Sequence, residues 1–286
     1  MQLFQSGILK VFSSVFGRLQ SIPHDDPGLT PERWCQAQPC RRIRIASRVM
    51  TISQPLSSLW VYFLGFFTIG ASLYFFQIQN GDNSRLWWGI SLLLWGIGAL
   101  LAGTSYQAFG YQIKCAGRPV CRWTSWWEVV YLMFQQVSVN AMLVAVAYSC
   151  TAGTFQAVLL GYAWLSSLVY VILVFVGAIV PVKSLITFEL MVWVSAPVLF
   201  FFFFLNGWRY FIFGNPMDLV LLGSWFMLVG TLAAYWIYGK QGIPKKLWAR
   251  GIWFSENDVL HVLLIFWMVY TVAVVANRIS DFPAHF

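Results

Sequence analysis

Seven apolar stretches, almost free of charge, alternate with short polar breaks along the 286 residues. They run near 56–78, 86–110, 126–148, 156–181, 184–206, 217–238 and 258–277. Each is long enough to cross about 30 Å of hydrocarbon at about 1.5 Å per residue. No water reaches that depth, so the backbone must satisfy its own N–H and C=O groups there. A helix does this within one segment. A β-barrel needs short alternating strands, and the sequence shows none. Composition agrees: 59% of residues are hydrophobic and 10% charged, against about 45–50% and about 25% in soluble domains. The chain is predicted to be an all-α integral membrane bundle of seven transmembrane helices, spanning 56–278.

The formal net charge is +8, but its placement argues for membrane topology and against nucleic acid. Arg41, Arg42, Arg44 and Arg48 precede the first span. Lys114, Arg118 and Arg122 follow the second, Lys183 the fourth, and Lys240, Lys245, Lys246 and Arg250 the sixth. With seven crossings all of these fall on one side; the other keeps Arg85, Arg209 and Arg278. Lys and Arg favour the cytoplasmic side. The expectation is a multi-pass protein of a bacterial plasma membrane with a cytoplasmic N-terminus. Its C-terminus is external, with 279–286 as a short tail. Residues 1–20 carry Phe4, Ile8, Val11, Phe12, Val15, Phe16 and Leu19 at helical spacing. This predicts an amphipathic helix on the membrane surface, or one packed on a partner subunit. A signal peptide would need a positive start and a small-residue cleavage site. Residues 21–55, with Pro23, Pro27, Pro31 and Pro39 and the run "RRIRIASR", form a polar and basic cytoplasmic linker.

Ionisable groups within spans are costly and tend to face a bundle interior. Counted from the basic end, Ser105, Gln107, Glu128, Glu189, Asn257, Asp258 and His261 share one depth, with Gln135 deeper. These eight are expected to meet in one inward-facing polar pocket. Each also has a structural role open to it. Glu128 follows two tryptophans and can snorkel to interfacial water. Ser255 or Asn257 can cap the last helix, and Glu256 and Asp258 suit its dipole. Asp258 and His261, three residues apart, share a face and are placed to hydrogen-bond. Glu189, flanked by apolar residues, is expected to face an interior partner.

Two of these stretches carry a resemblance. "GTSYQAFG", with Ser105 and Gln107, and "ENDVLHVLLIF", with Asn257, Asp258 and His261, resemble the second and seventh spans of the CREST superfamily of seven-helix membrane proteins. That group includes alkaline ceramidases, progestin and adiponectin-type receptors and lipid-remodelling factors, with uncharacterised bacterial relatives beside it. The resemblance implies a lipid hydrolase with Ser105, Asp258 and His261 as catalytic candidates and His261 as a zinc ligand. Family hydrolases use three histidines. This chain has His24, His261 and His285, of which only His261 lies in a span, and Gln107 stands where a histidine is expected. The implied metal site is therefore degenerate.

Other chemistries leave thinner traces. Cys35, Cys40, Cys115 and Cys121 lie on one side and could form a zinc site, though their spacing is looser than usual; the alternative is scattered reduced thiols, the usual state in a cytoplasm. His261 could ligate haem or another pigment. "GIGALLAG", Gly96 to Gly103, allows a close helix crossing. Three function classes follow: an accessory subunit of a larger membrane complex, a CREST-like lipid hydrolase or metal enzyme, and a sensor of a lipid or small ligand. Membrane lipids are expected partners in all three. The accessory-subunit class ranks first on composition, because the surface is aromatic-rich and the catalytic set incomplete.

Overall fold

The fold was taken from a computed structural model, which describes residue 14 and residues 17–19, 22, 24–45, 47–180 and 182–283. The amphipathic helix expected over 1–20 lies mostly outside the described residues; residue 14 and residues 17–19 are helical. There the Arg18 guanidinium donates to the Ile179 carbonyl at 2.6 Å.

Seven long apolar helices form the bundle, so the chain is an all-α multi-pass membrane protein. Before them come a short helix α1 (Pro31–Ala37) and an antiparallel hairpin of β1 (Cys40–Ile45) and β2 (Arg48–Ser53). The spans follow as α2 (Pro55–Gln77) and α3 (Asn83–Ala102), the latter continued by a π-helical turn, Gly103–Ala108. After the short α4 (Gly110–Lys114) come α5 (Trp126–Cys150), α6 (Gly153–Ile179), α7 (Phe188–Phe213) and α8 (Pro216–Lys240). The short α9 (Ile243–Trp248) leads to α10 (Glu256–Tyr270), which a second π turn prolongs through Val275. We call the end bearing α1, the hairpin, α4 and α9 the basic end.

Most boundaries fall within a few residues of those expected from hydropathy. The exception is α7, which was expected over 184–206 but runs seven residues beyond Asn206. Asn206 and Arg209 look like a polar span end, yet both are buried and paired inside the bundle.

Close contact of α2 and α3 depends on glycine, as "GIGALLAG" suggested. A Cβ on Gly65 would lie 2.5 Å from Leu100 Cδ2, and one on Gly96 2.9 Å from the Gly65 carbonyl. The main core draws on all seven long helices, with stacked aromatic rings at its centre: Phe75 on Trp88, Trp88 on Trp225, and Trp225 on Phe202. The outer faces of α6 and α7 expose Phe155, Leu165, Trp193, Phe204 and Phe211. Hydrocarbon is the solvent that suits such faces.

Candidate functional site

The polar residues expected to share one pocket separate into two places. At the basic end, the π turn after α3 carries Ser105 and Gln107. A π turn inserts one extra residue per turn and often marks a functional position. Here it sets Ser105 beside the first turn of α5. The Ser105 hydroxyl donates to Glu128 Oε1 at 2.8 Å, and Thr124 donates to Glu128 Oε2 at 3.0 Å. Ser105 also shares a hydrogen bond with Ser125. Lys114, arriving on α4, forms an ion pair with Glu128 and lies 4.9 Å from the Tyr106 ring centre. Glu128 is therefore 2% exposed and does not snorkel. Gln107 is buried too, and its Oε1 has no hydrogen-bond partner among the described residues.

An extramembrane clasp holds this cluster. Lys114 precedes Cys115, which is disulfide-bonded to Cys121; Cys35 is bonded to Cys40. Residues 24–29 pair with the returning chain through Trp123 N–H to the His24 carbonyl at 2.5 Å and Cys121 N–H to the Leu29 carbonyl at 2.8 Å. Trp34 packs against the buried Cys115–Cys121 bridge and donates to Ser53 at 2.9 Å. The expectation of reduced thiols or a four-cysteine zinc site is thus corrected. Both pairs sit close enough for disulfides, and their sulfurs bond to each other. Beside this clasp His24 is 5% exposed; burial, then the nearby Lys183, lowers its pKa and favours the neutral imidazole.

The second place is a cavity of about 350 Å³ enclosed by α2, α3, α5, α7, α8 and α10. His261 faces it from the second turn of α10, and Tyr131, Gln135, Ser195 and Thr231 add the other polar groups. The remaining lining is aliphatic or aromatic. Several of the polar groups are already engaged: Ser195 donates to Gln136 at 2.6 Å, Gln135 to the Trp95 carbonyl at 3.2 Å and Thr231 to the Met227 carbonyl at 2.8 Å. His261 is not. Its Nδ1 is buried and finds no hydrogen-bond partner among the described residues.

Asp258 does not serve His261 as expected. Its Oδ2 turns back to accept from the Ser255 N–H at 2.6 Å and from the Ser255 hydroxyl at 2.9 Å, while Ser255 Oγ accepts from Asp258 N–H. This reciprocal cap satisfies helix-start donors; the other oxygen, Oδ1, is buried and, like His261 Nδ1, has no hydrogen-bond partner among the described residues. Asn257 is half-buried in the same first turn and lies outside the cavity lining. Glu189 is exposed in the first turn of α7, where the helix dipole favours a carboxylate, and does not face the cavity; its neighbours Phe188 and Met191 do. Among the described residues no hydrogen bond or ion pair joins Ser105, Asp258 and His261, and no three His, Cys, Asp or Glu side chains gather into a metal-binding group.

A third polar group escaped the sequence reading. At the opposite end Arg209 on α7 pairs with Asp218 on α8 at 3.0 Å and donates to the Cys150 carbonyl at 2.7 Å. Asn206 donates to Asp218 at 2.8 Å and accepts from Trp225 Nε1 at 2.8 Å. Asp218 follows Pro216 in a helix's first turn, where an acidic residue ordinarily needs no partner. The usable signal was Arg209, nine residues earlier and inside a span long enough to bury it.

No protein-family model matches this chain, and no curated protein or solved structure matches it either.

Proposed function

We propose that this membrane protein binds one apolar small molecule in the cavity between α2, α3, α5, α7, α8 and α10, as a lipid or small-ligand sensor. The supporting observation is the lining of the cavity: His261, Tyr131, Gln135, Ser195 and Thr231 are set among aliphatic and aromatic walls. Ligand pockets typically measure about 300–1,000 Å³ and combine apolar walls with few polar groups, which this cavity matches.

The accessory-subunit class drew on exposed aromatic faces, but a lipid environment accounts for those without a partner. The hydrolase class needs Ser105, Asp258 and His261 in contact, and among the described residues no hydrogen bond joins them: Ser105 is held by Glu128 and Asp258 by Ser255. We further propose that the basic end faces the cytoplasm, from the one-sided charge of its loops. The two disulfides at that end pull the other way, since such bonds persist mainly in oxidising compartments. A C-terminal alkaline phosphatase fusion active in bacterial cells would support the proposed orientation, and an inactive, stably expressed one would reverse it.

Binding is tested by native mass spectrometry of the protein released from mild detergent. The wild type is expected to retain one bound small molecule per chain. Ala196→Phe and Ala102→Phe, which fill the cavity from α7 and α3, are expected to lose it. Equal retention in all three proteins would refute cavity binding.

A further inference from the structure

We infer that the ligand is a single hydrocarbon chain of a bilayer lipid from the basic-end leaflet, and that it slides in sideways between α7 and α8. This rests on the cavity being a ligand site. Three observations identify the chain and its route.

The first is length. On α7 the lining runs from Phe188, the first residue of the helix, to Phe203. Fifteen residues at about 1.5 Å make about 22 Å. Half of a bilayer, headgroups included, is about 20–22 Å thick. The cavity therefore spans one leaflet and ends near the midplane.

The second is polarity along that length. His261 lies five residues into α10, Tyr131 five into α5 and Ser195 seven into α7, all counted from the basic end. Beyond them Gln135 and Thr231 are already hydrogen-bonded to backbone carbonyls, and the walls are Leu64, Val139, Met142, Leu199, Phe202 and Phe203. A polar head near the basic end and an apolar tail toward the midplane reproduce the polarity of a lipid lying in that leaflet.

The third is where the wall is thin. Among the lining residues only Phe200 on α7 and Val229 on α8 are exposed, at 74% and 40%. Both face the surface that lipid covers. Two aromatic contacts bracket this gap: Phe188 with Tyr235 toward the basic end, at 6.4 Å between ring centres, and Phe203 with Phe226 toward the midplane, at 4.9 Å. Between the brackets α7 contains Pro197, which has no N–H to give the preceding turn. A helix loosened there can flex without losing another hydrogen bond.

The test uses protein reconstituted in phosphatidylcholine vesicles carrying palmitic acid with a diazirine at the chain end. Photolysis and peptide mapping are expected to place adducts on Val139, Met142, Phe202 or Phe203. Phe200→Cys and Val229→Cys are then combined and bridged with a bis-maleimide. The labelling rate of the unbridged double variant serves as its own reference. Bridging is expected to slow the appearance of cavity adducts several-fold, while each single-cysteine variant treated alike is unaffected. Cavity adducts that form equally fast after bridging would overturn the side route and leave the ligand site standing. Adducts confined to outward residues such as Phe155 and Leu165 would overturn the site as well.

Discussion

The two buried ion pairs among the described residues sit at opposite ends and are built in opposite ways. Arg209 and Asp218 belong to one helical hairpin, nine residues apart, and their network is completed by Asn206, Trp225 and the Cys150 carbonyl, all on the long helices themselves. Lys114 and Glu128 meet only because a disulfide-bonded extramembrane clasp turns α4 onto α5. The C-terminal tail reinforces the first end: Asp281 accepts from the N–H groups of Asn83 and Ser84. One end is closed by local sequence, the other by a clasp that can be undone. The cavity lies in the half nearer the clasp.

Removing a partner should affect the two ends unequally. Asp218→Asn leaves a guanidinium buried, and a guanidinium cannot discharge itself. Losing one member of a buried pair costs about 3–5 kcal/mol, so this variant should show the largest loss in thermal or denaturant unfolding. Lys114→Met leaves a carboxylate with two hydroxyl donors, and an orphaned carboxylate can neutralise by taking up a proton. Its loss should be smaller; a loss equal to or greater than that of Asp218→Asn would erase the proposed contrast.

Reduction sharpens the same contrast. Cys115–Cys121 closes a loop whose chain entropy corresponds to about 2 kcal/mol. The paired replacement Cys115→Ser with Cys121→Ser should cost about that much and raise proteolysis of the basic-end loops, leaving the Arg209 end protected. Mild reductant on the intact protein should free Cys35 and Cys40, which are partly exposed, before the fully buried pair. Alkylation counted by mass would show two added groups first; four appearing together would contradict it.

The smallest expected effect comes from acid. The lowered pKa of His24 means that the unfolded chain binds its proton more readily. Stability conferred by the neutral form is therefore complete above about pH 6.5 and declines as pH falls below that value. Hydrogen exchange should quicken around residues 24–29 and 121–123 on acidification, and His24→Gln should flatten that response. No change at the opposite end is expected.

How much of this could be read beforehand differs by residue. The spans were legible because length and lack of charge are imposed by the bilayer, whatever the packing. Which way a polar side chain turns was not. These helices are apolar on nearly every side, so periodicity gave Glu189 no preferred face, and it emerged outward while Glu128 went in. Asp258 illustrates a second limit: a capping box and a catalytic dyad use the same residue types, and only geometry separates them. The cavity itself has no sequence signature, since it is volume that Ala99, Ala102 and Ala196 leave unfilled. His261 was visible, and its lack of a partner was not.

A high-resolution map of the protein in nanodiscs drawn from its own membrane tests most directly whether the chamber lined by His261 holds a lipid chain. An elongated density running from His261 toward Phe202, with a polar end within hydrogen-bond reach of the imidazole, is the predicted result. Side chains collapsed into that space, with lipid seen only on the outer faces of α6 and α7, would contradict it.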